Sequence, residues 1–251
     1  MAEYRNSDDT KGATKTTLPH GSAHSDQPPI DQNLLIQLST SVLSSDRRAV
    51  RRAVDNALSS NVSPEDIADY YIPMIARQLG DAWCVDEIGF ADVTIGASRL
   101  QAVLRELVPA WTGDSIAAPT APRILLAVLP EIYHTLGAMV LAGQLRRKGV
   151  SVRLALGADV IELIKQLRRG HYDALFISAS VGDSLENLRK VIESVRTVAD
   201  AMPIVLGGSI VGTHPDIAEL TGATFVTNDP DEALSTCDLT IKPLKNNLAD
   251  T

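Results

Sequence analysis

Cysteine is nearly missing from this chain. Its two copies, Cys84 and Cys237, stand far apart and without metal-type spacing, which excludes a disulfide framework and suits a reducing cytoplasm. Aromatic side chains are almost as scarce, at 4% of 251 residues. Because 45% of the residues are apolar, a sizeable core is available, and it has to be built from Leu, Val, Ile and Ala. No apolar run approaches the ~18 residues that a membrane helix needs, so no membrane attachment is expected. The N-terminus has no apolar stretch of the kind that opens a secretory leader. Basic residues are outnumbered, 23 Lys and Arg against 31 Asp and Glu for a net charge of −8, so a dedicated nucleic-acid surface is not expected. Also missing are a Walker phosphate loop, a nucleophile-elbow serine with its triad, and paired carboxylates in a catalytic setting. No residues remain as candidates for an enzyme activity of the chain's own.

What is present divides into blocks. Residues 1–30 are rich in Ser, Thr, Asp, Gly and Pro and have almost nothing to bury, which reads as a disordered arm. Such an arm cannot form a helix-turn-helix, so direct sequence-specific DNA binding is not expected. Residues 31–112 repeat apolar positions at three and four: Leu34, Leu35 and Leu38; Val50, Val54 and Leu58; Ile67, Tyr71, Met74, Ile75 and Leu79. That period predicts a small helical bundle. Ser63-Pro64-Glu65-Asp66 is a helix start, with a capping Ser, Pro in the first turn and acids near the positive end. Gly80 marks a place where that helix could stop, and a long last helix is expected from about Asp86 to Leu107. Residues 113–122 read as a linker, and 244–251 as a loose tail.

The block 123–243 alternates differently. Short runs rich in Val, Ile and Leu at 123–129, 150–156, 172–178 and 203–206, with a weaker one at 224–226, are separated by helical stretches. Strand–helix alternation predicts a five-stranded parallel sheet with helices on both faces, in the flavodoxin-like (Rossmann-like) class. Such sheets bind ligands at the carboxyl ends of their strands, beside the topological switch point. Three loops are expected there: 130–137, containing Tyr133-His134-Thr135-Leu136-Gly137; Ser178-Ala179-Ser180; and Gly207-Gly208.

These loops resemble the cobalamin-binding domain of methionine synthase and corrinoid methyl carriers. That family's pattern is Asp-x-His-x-x-Gly, followed at set distances by Ser-x-Leu and Gly-Gly. Here forty residues separate Gly137 from Ser178, and twenty-six separate Ser180 from Gly207, in agreement with it. The resemblance implies that His134 is the lower ligand of cobalt, replacing the cofactor's own base, with Tyr133 and Thr135 beside it. A neutral imidazole suits that metal. Gly137, Ser178, Ser180, Gly207 and Gly208 would line the slot for the displaced nucleotide tail. Two positions depart from the pattern. Ile132 stands where an acid normally orients the imidazole, and Ser180 stands where Leu is usual.

The first block carries a second resemblance. Leu79-Gly80-Asp81-Ala82-Trp83, then Asp86-Glu87-Ile88 and Phe90-Ala91, is similar to the helical cap that covers cobalamin in methionine synthase and in light-sensing transcription factors. It implies that Trp83 lies over the upper corrin face; a core Trp at a helix end is the other reading. Adenosylcobalamin photoreceptors follow that Trp by ten and eleven residues with Glu-His, where this chain has Val93 and Thr94. Over residues 31–240 the chain resembles the cobalamin-binding antirepressors of purple bacteria, the AerR/PpaA type, which share Val93-Thr94-Ile95-Gly96 and His134-Thr135-Leu136-Gly137 as they stand here. That resemblance implies a light- or redox-responsive regulator whose partner is a DNA-binding repressor of photosynthesis genes. The alternatives are a corrinoid methyl carrier, a haem sensor of the same fold using His134, and a plain response domain. Last among these is the response domain, because only Glu131 stands where an acidic cluster would be needed.

Other basic and histidine residues are less telling. Arg47-Arg48 and Arg51-Arg52 make two (i, i+4) pairs that read as a partner-docking patch or as a solvated face. Arg146-Arg147-Lys148 suit a helix C-terminus. His20 and His24, in the arm, are candidates to swing in as an upper cobalt ligand. His171 and His214 have no assigned role.

Overall fold

The computed structural model describes residues 29–107, 120–130 and 135–240. Five strands, β1 (Arg123–Val128), β2 (Ser151–Leu156), β3 (Ala174–Ser178), β4 (Ile204–Gly207) and β5 (Phe225–Val226), lie parallel in the order β2-β1-β3-β4-β5. The expected flavodoxin-like order is therefore the one observed. β1 reads as an unbroken apolar run because both its faces are covered, and every residue from Ile124 to Val128 is 0% exposed. Ile124, Leu126 and Val128 face one core together with Ala138, Ala142 and Leu145 of α6 (Thr135–Arg147) and Leu234 of α10 (Pro230–Thr236). Leu125, Ala127 and Leu129 face the other, with residues of α7 (Val160–Arg169), α8 (Leu185–Arg196) and α9 (Ile217–Thr221). Each such Leu or Ile contributes about 1.5–3 kcal/mol by leaving water. The core is aliphatic as expected: among the described residues Tyr71 and Phe176 are its aromatic members.

The N-terminal helices are α1 (Gln32–Leu43), α2 (Ala49–Ser59), α3 (Pro64–Asp66), α4 (Ile72–Cys84) and α5 (Phe90–Leu107). Ser63 caps its helix as read, and Asp31 caps α1, which the sequence reading did not pick out. The Asp31 carboxylate accepts from the Asn33 and Leu34 amides at 2.8 and 3.2 Å, and the Ser63 hydroxyl accepts from the Asp66 amide at 3.0 Å. Between α3 and α4 the chain stays helical through a π-helical turn, Ile67–Tyr71, which the periodicity did not announce. Its cause is Pro73, which cannot donate to the carbonyl four residues back at Asp69 and crowds it; widening that turn relieves the clash.

Two helix ends differ from expectation. Gly80 does not stop its helix. Leu79 is buried and α4 runs on to Cys84. The stop comes at Asp86, in the left-handed region at φ 58, with the Glu87 amide returning to the Ala82 carbonyl at 2.9 Å. The last helix accordingly starts at Phe90 and not at Asp86. Gly96 lets α5 approach α4 and α1 closely, since a Cβ there would lie 2.7 Å from Leu79 Cδ1 and 3.3 Å from Val42 Cγ1.

The helices rest on the sheet domain through α6, which contacts both α5 and the π turn. Asp69 of that turn pairs with Arg147 at the end of α6, with both side chains under one-fifth exposed. Burial pushes the Asp69 carboxyl above its ordinary range, and the Arg147 guanidinium counteracts this only in part. The three cations of α6's end are thus more than dipole partners: Arg146 donates to the Val152 carbonyl at 2.7 Å, and Lys148 pairs with Asp231 at 2.7 Å. Of the arginines before and in α2, Arg51 pairs with Asp55 and Glu106, and Arg52 pairs with Asp46, which favours a solvated face over a docking patch. Truncating Arg147 to Met should cost about 3 kcal/mol by leaving a buried carboxylate without its counter-charge. Adding Asp69→Asn should restore most of that loss, both read from urea unfolding of the apoprotein.

Candidate functional site

The order β2-β1-β3 reverses direction at β1, so a crevice opens at the carboxyl ends of β1 and β3. The segments picked out in the sequence converge on this edge, the first of them through the start of α6. Ser178 ends β3 and pairs in register with Gly207, which ends β4. Beyond them the Ala179 amide donates to the Gly207 carbonyl at 2.8 Å, and the Gly208 amide donates to Asn228 Oδ1 at 2.7 Å. The ends of β3, β4 and the segment after β5 are thereby joined.

Gly208 is glycine by necessity. Its φ is +100°, and a Cβ would fall 2.1 Å from the Ala179 carbonyl oxygen. Gly207 is similarly confined, with the Thr227 carbonyl 2.9 Å from the place of a Cβ. Ser178 is half-buried. Ser180 is buried, and its amide donates to Asp183 Oδ2 at 2.6 Å. The Val181 amide donates to Ser209 Oγ at 3.2 Å. Small residues, Ser178 and Ser180 among them, thus form the ends of β3 and β4, joined by these hydrogen bonds.

Gly137 is different. It lies in the first turn of α6, is exposed, and among the described residues has nothing within 4 Å of the place where a Cβ would stand. No described neighbour therefore requires glycine there. Thr135 begins α6, and its hydroxyl accepts from Gln101 Nε2 of α5 at 2.9 Å. His134 and Tyr133 fall outside the described residues, as does Ile132. His134 directly precedes Thr135 in the chain.

Trp83 is 45% exposed near the end of α4, so it is not a core tryptophan. Phe90, 70% exposed, lies beside it with ring centroids 6.3 Å apart and planes at 58°. Val85, at the C-terminal cap of α4, is 64% exposed. Large exposed apolar side chains grouped in this way call for a partner surface, and a flat macrocycle is one. Sequence reasoning picked out Trp83 and missed Phe90 as its neighbour. The two lie on different helices, so helical spacing does not pair them. It also missed Gln101 and Asn228, whose roles depend on tertiary contact.

Residues 122–237 match the B12 binding domain family. A Rhodobacter capsulatus protein, described as an uncharacterized 20.5 kDa protein in the bchF-crtJ intergenic region, is 38% identical over 176 residues. The match covers 70% of this chain and 92% of that relative. The chain belongs to this family of cobalamin-binding proteins. Among solved structures, the Methanosarcina barkeri monomethylamine corrinoid protein superposes with a TM-score of 0.67 at 15% identity, over 83% of this chain and 98% of that one. That likeness establishes the fold: helices followed by a five-stranded parallel sheet. Cobalamin is the cofactor, and the haem reading is set aside. The residues present fit it: among the described residues Gly137 has open space beside it, small residues end β3 and β4, and the Trp83–Phe90 pair is exposed.

The two kinds of glycine should separate experimentally. Gly208→Ala should destabilise the apoprotein by about 3 kcal/mol, from overpacking at a positive φ. Gly137→Ala should raise apoprotein stability by about 0.5–1 kcal/mol, as expected for Gly→Ala within a helix. The same change should weaken cobalamin binding about tenfold, because the added methyl enters the ligand's space. Thermal unfolding of the apoprotein and equilibrium titration with hydroxocobalamin check both.

Proposed function

We propose that this chain is a cobalamin-dependent transcriptional regulator of the antirepressor type, acting on a DNA-binding repressor of photosynthesis genes in response to light or redox state, and that it is not an enzyme. The observation that carries this reading is the 38% identity to a protein encoded between bchF and crtJ, in an alignment long enough to include both helices and sheet. The net charge of −8 supports action through a protein partner over direct DNA contact.

In this reading His134 would ligate cobalt, and Trp83 and Phe90 would shield the corrin from water. Ser178 and Ser180 would offer hydroxyls to the cofactor's nucleotide tail, beside the bare backbone of Gly207 and Gly208. The cofactor supplies a cobalt–ligand bond that light or reduction can break. Trp83, Val85 and Phe90 sit at the tip of the α4–α5 hairpin, so a change at the upper face alters what that hairpin packs against and which surface a partner meets. The isoleucine at 132, in place of an orienting acid, removes a device that tunes ligand basicity, which suits a switch better than a methyl carrier that must cycle.

Two measurements test the proposal. His134→Ala should change the absorption spectrum of bound cobalamin and weaken its retention about tenfold or more; an unchanged spectrum removes His134 from the site. Affinity for the repressor partner, measured in the dark and after illumination, should differ by about tenfold, a coupling within the ordinary allosteric range. Equal affinities would remove the light switch.

A further inference from the structure

The strand order leaves β2 at one edge of the sheet, where it pairs with β1 alone. The Ser151 amide donates to the Pro122 carbonyl at 2.8 Å, and the Gly157 amide donates to the Val128 carbonyl at 2.9 Å. In a parallel ladder a residue turns its amide and its carbonyl to the same side, and its neighbours turn theirs to the other. Val152, Leu154 and Leu156 therefore point their backbone groups away from the sheet. Arg146 covers one of these groups, the Val152 carbonyl, at 2.7 Å. The outward amides and carbonyls of Leu154 and Leu156 meet no partner among the described residues. An open edge of this kind is a template for a further strand.

The side chains around the edge set which strand would fit. Leu154 and Leu156 share the α6 face of β2. With Leu104 of α5 and Met139 of α6 they line a groove of about 240 Å³, together with Arg105 and Arg146. Leu156 is 45% exposed. Arg105 is exposed and has no acidic partner among the described residues. The other face of β2 presents Arg153, also exposed. α7 packs on that face, and its Lys165, Arg168 and Arg169 are exposed and without acidic partners among the described residues. Glu162 of the same helix accepts from Gln166 at 3.1 Å. On α8, by contrast, Arg189 and Lys190 are each matched by a glutamate. Unmatched cations on both faces of one edge are notable in a chain of net charge −8. They call for an acidic complement. β2 itself carries an arginine and no acid, so the same edge of a second copy does not supply it.

We propose that the free edge of β2 is a docking site for an extended acidic segment of a partner protein, which adds to the sheet as a further strand. A strand sends alternate side chains to opposite faces. One set would enter the groove beside Leu154 and Leu156, and the other would meet Arg153 and the cations of α7. The segment that fits therefore alternates aliphatic residues with Asp or Glu. This site goes beyond the function proposed above and needs neither cobalamin nor a repressor.

The test titrates the full chain with an end-blocked peptide of sequence Glu-Val-Asp-Leu-Glu-Val-Asp-Leu. Binding should saturate and should weaken as salt is raised. A peptide with Lys in place of the acids should not bind. Methylating the backbone nitrogens of alternate residues should abolish binding in one register and spare it in the other, because only every second amide faces β2. Those peptides need no variant of the protein. Arg105→Glu and Leu156→Glu should each weaken binding about tenfold, and Arg189→Glu, on α8, should leave it unchanged. Absence of saturable binding, equal loss with both methylated peptides, or indifference to Arg105→Glu overturns the proposal. Self-association of the full chain in sedimentation, abolished by Leu156→Glu, assigns the edge to a second copy and overturns it as well.

Discussion

The packing of α6 onto β1 is the contact on which the other features depend. Ala138, Ala142 and Leu145 lie against Ile124, Leu126 and Val128, all of them excluded from water. Small residues at two of those positions bring the helix close to the sheet. That fixes the start of α6 at the carboxyl edge of β1, which is where the strand order reverses. The same helix offers its other side to α5 and to the π turn, so it is also the floor on which the helical segment rests. One helix therefore links the sheet edge to the helices that rest on it.

Around that helix, two kinds of polar contact do different work. Asp69 and Arg147 are largely withdrawn from water, and burial works against the charge of the carboxylate. Such a pair adds little net stability over an apolar replacement but fixes one arrangement, because either partner alone is strongly unfavourable. Gln101 and Thr135 carry no charge and meet through a single bond. The ion pair sets the register of the cap on the domain, and the neutral bond, weak enough to break, lies next to the proposed metal ligand.

Much of this was readable in the residues. The strand–helix alternation pointed to five parallel strands because fully buried strands leave unbroken Val, Ile and Leu runs, and 123–128 is one. The Gly207-Gly208 pair stood out as room for a cofactor's tail, whereas the neighbours that confine it are the protein's own backbone, Thr227 beside Gly207 and Ala179 beside Gly208, which no spacing along the chain reveals. The π turn was not, since a proline inside an apolar period disturbs hydrogen bonding and leaves the hydrophobic spacing intact. Nor was the stop at Asp86, where a left-handed non-glycine residue ended the helix after Gly80 had been passed. Phe90 and Gln101 were hidden for a common reason: their importance lies in what stands opposite them across a helix-to-helix gap, and sequence spacing encodes neighbours along one helix only.

The exposed Trp83–Phe90 pair bears on which kind of cobalamin protein this is. A pocket specific for an adenosyl group needs polar groups above the corrin, and the chain has Val93 and Thr94 where the Glu-His pair of the photoreceptors would stand. Thr94 is exposed, and its hydroxyl turns back to the Phe90 carbonyl at 2.8 Å, so it is occupied within its own helix. In the proposed reading the tip of the α4–α5 hairpin would therefore meet the corrin through the rings of Trp83 and Phe90, without Thr94. Rings without a polar reader discriminate weakly among small upper ligands but strongly between a covered and an uncovered corrin, because only the covered state removes their apolar area from water. A cap built this way reports whether the upper face is accessible more readily than it reports which group sits there. That property fits a regulator whose output is the position of a hairpin better than a carrier whose output is a transferred group.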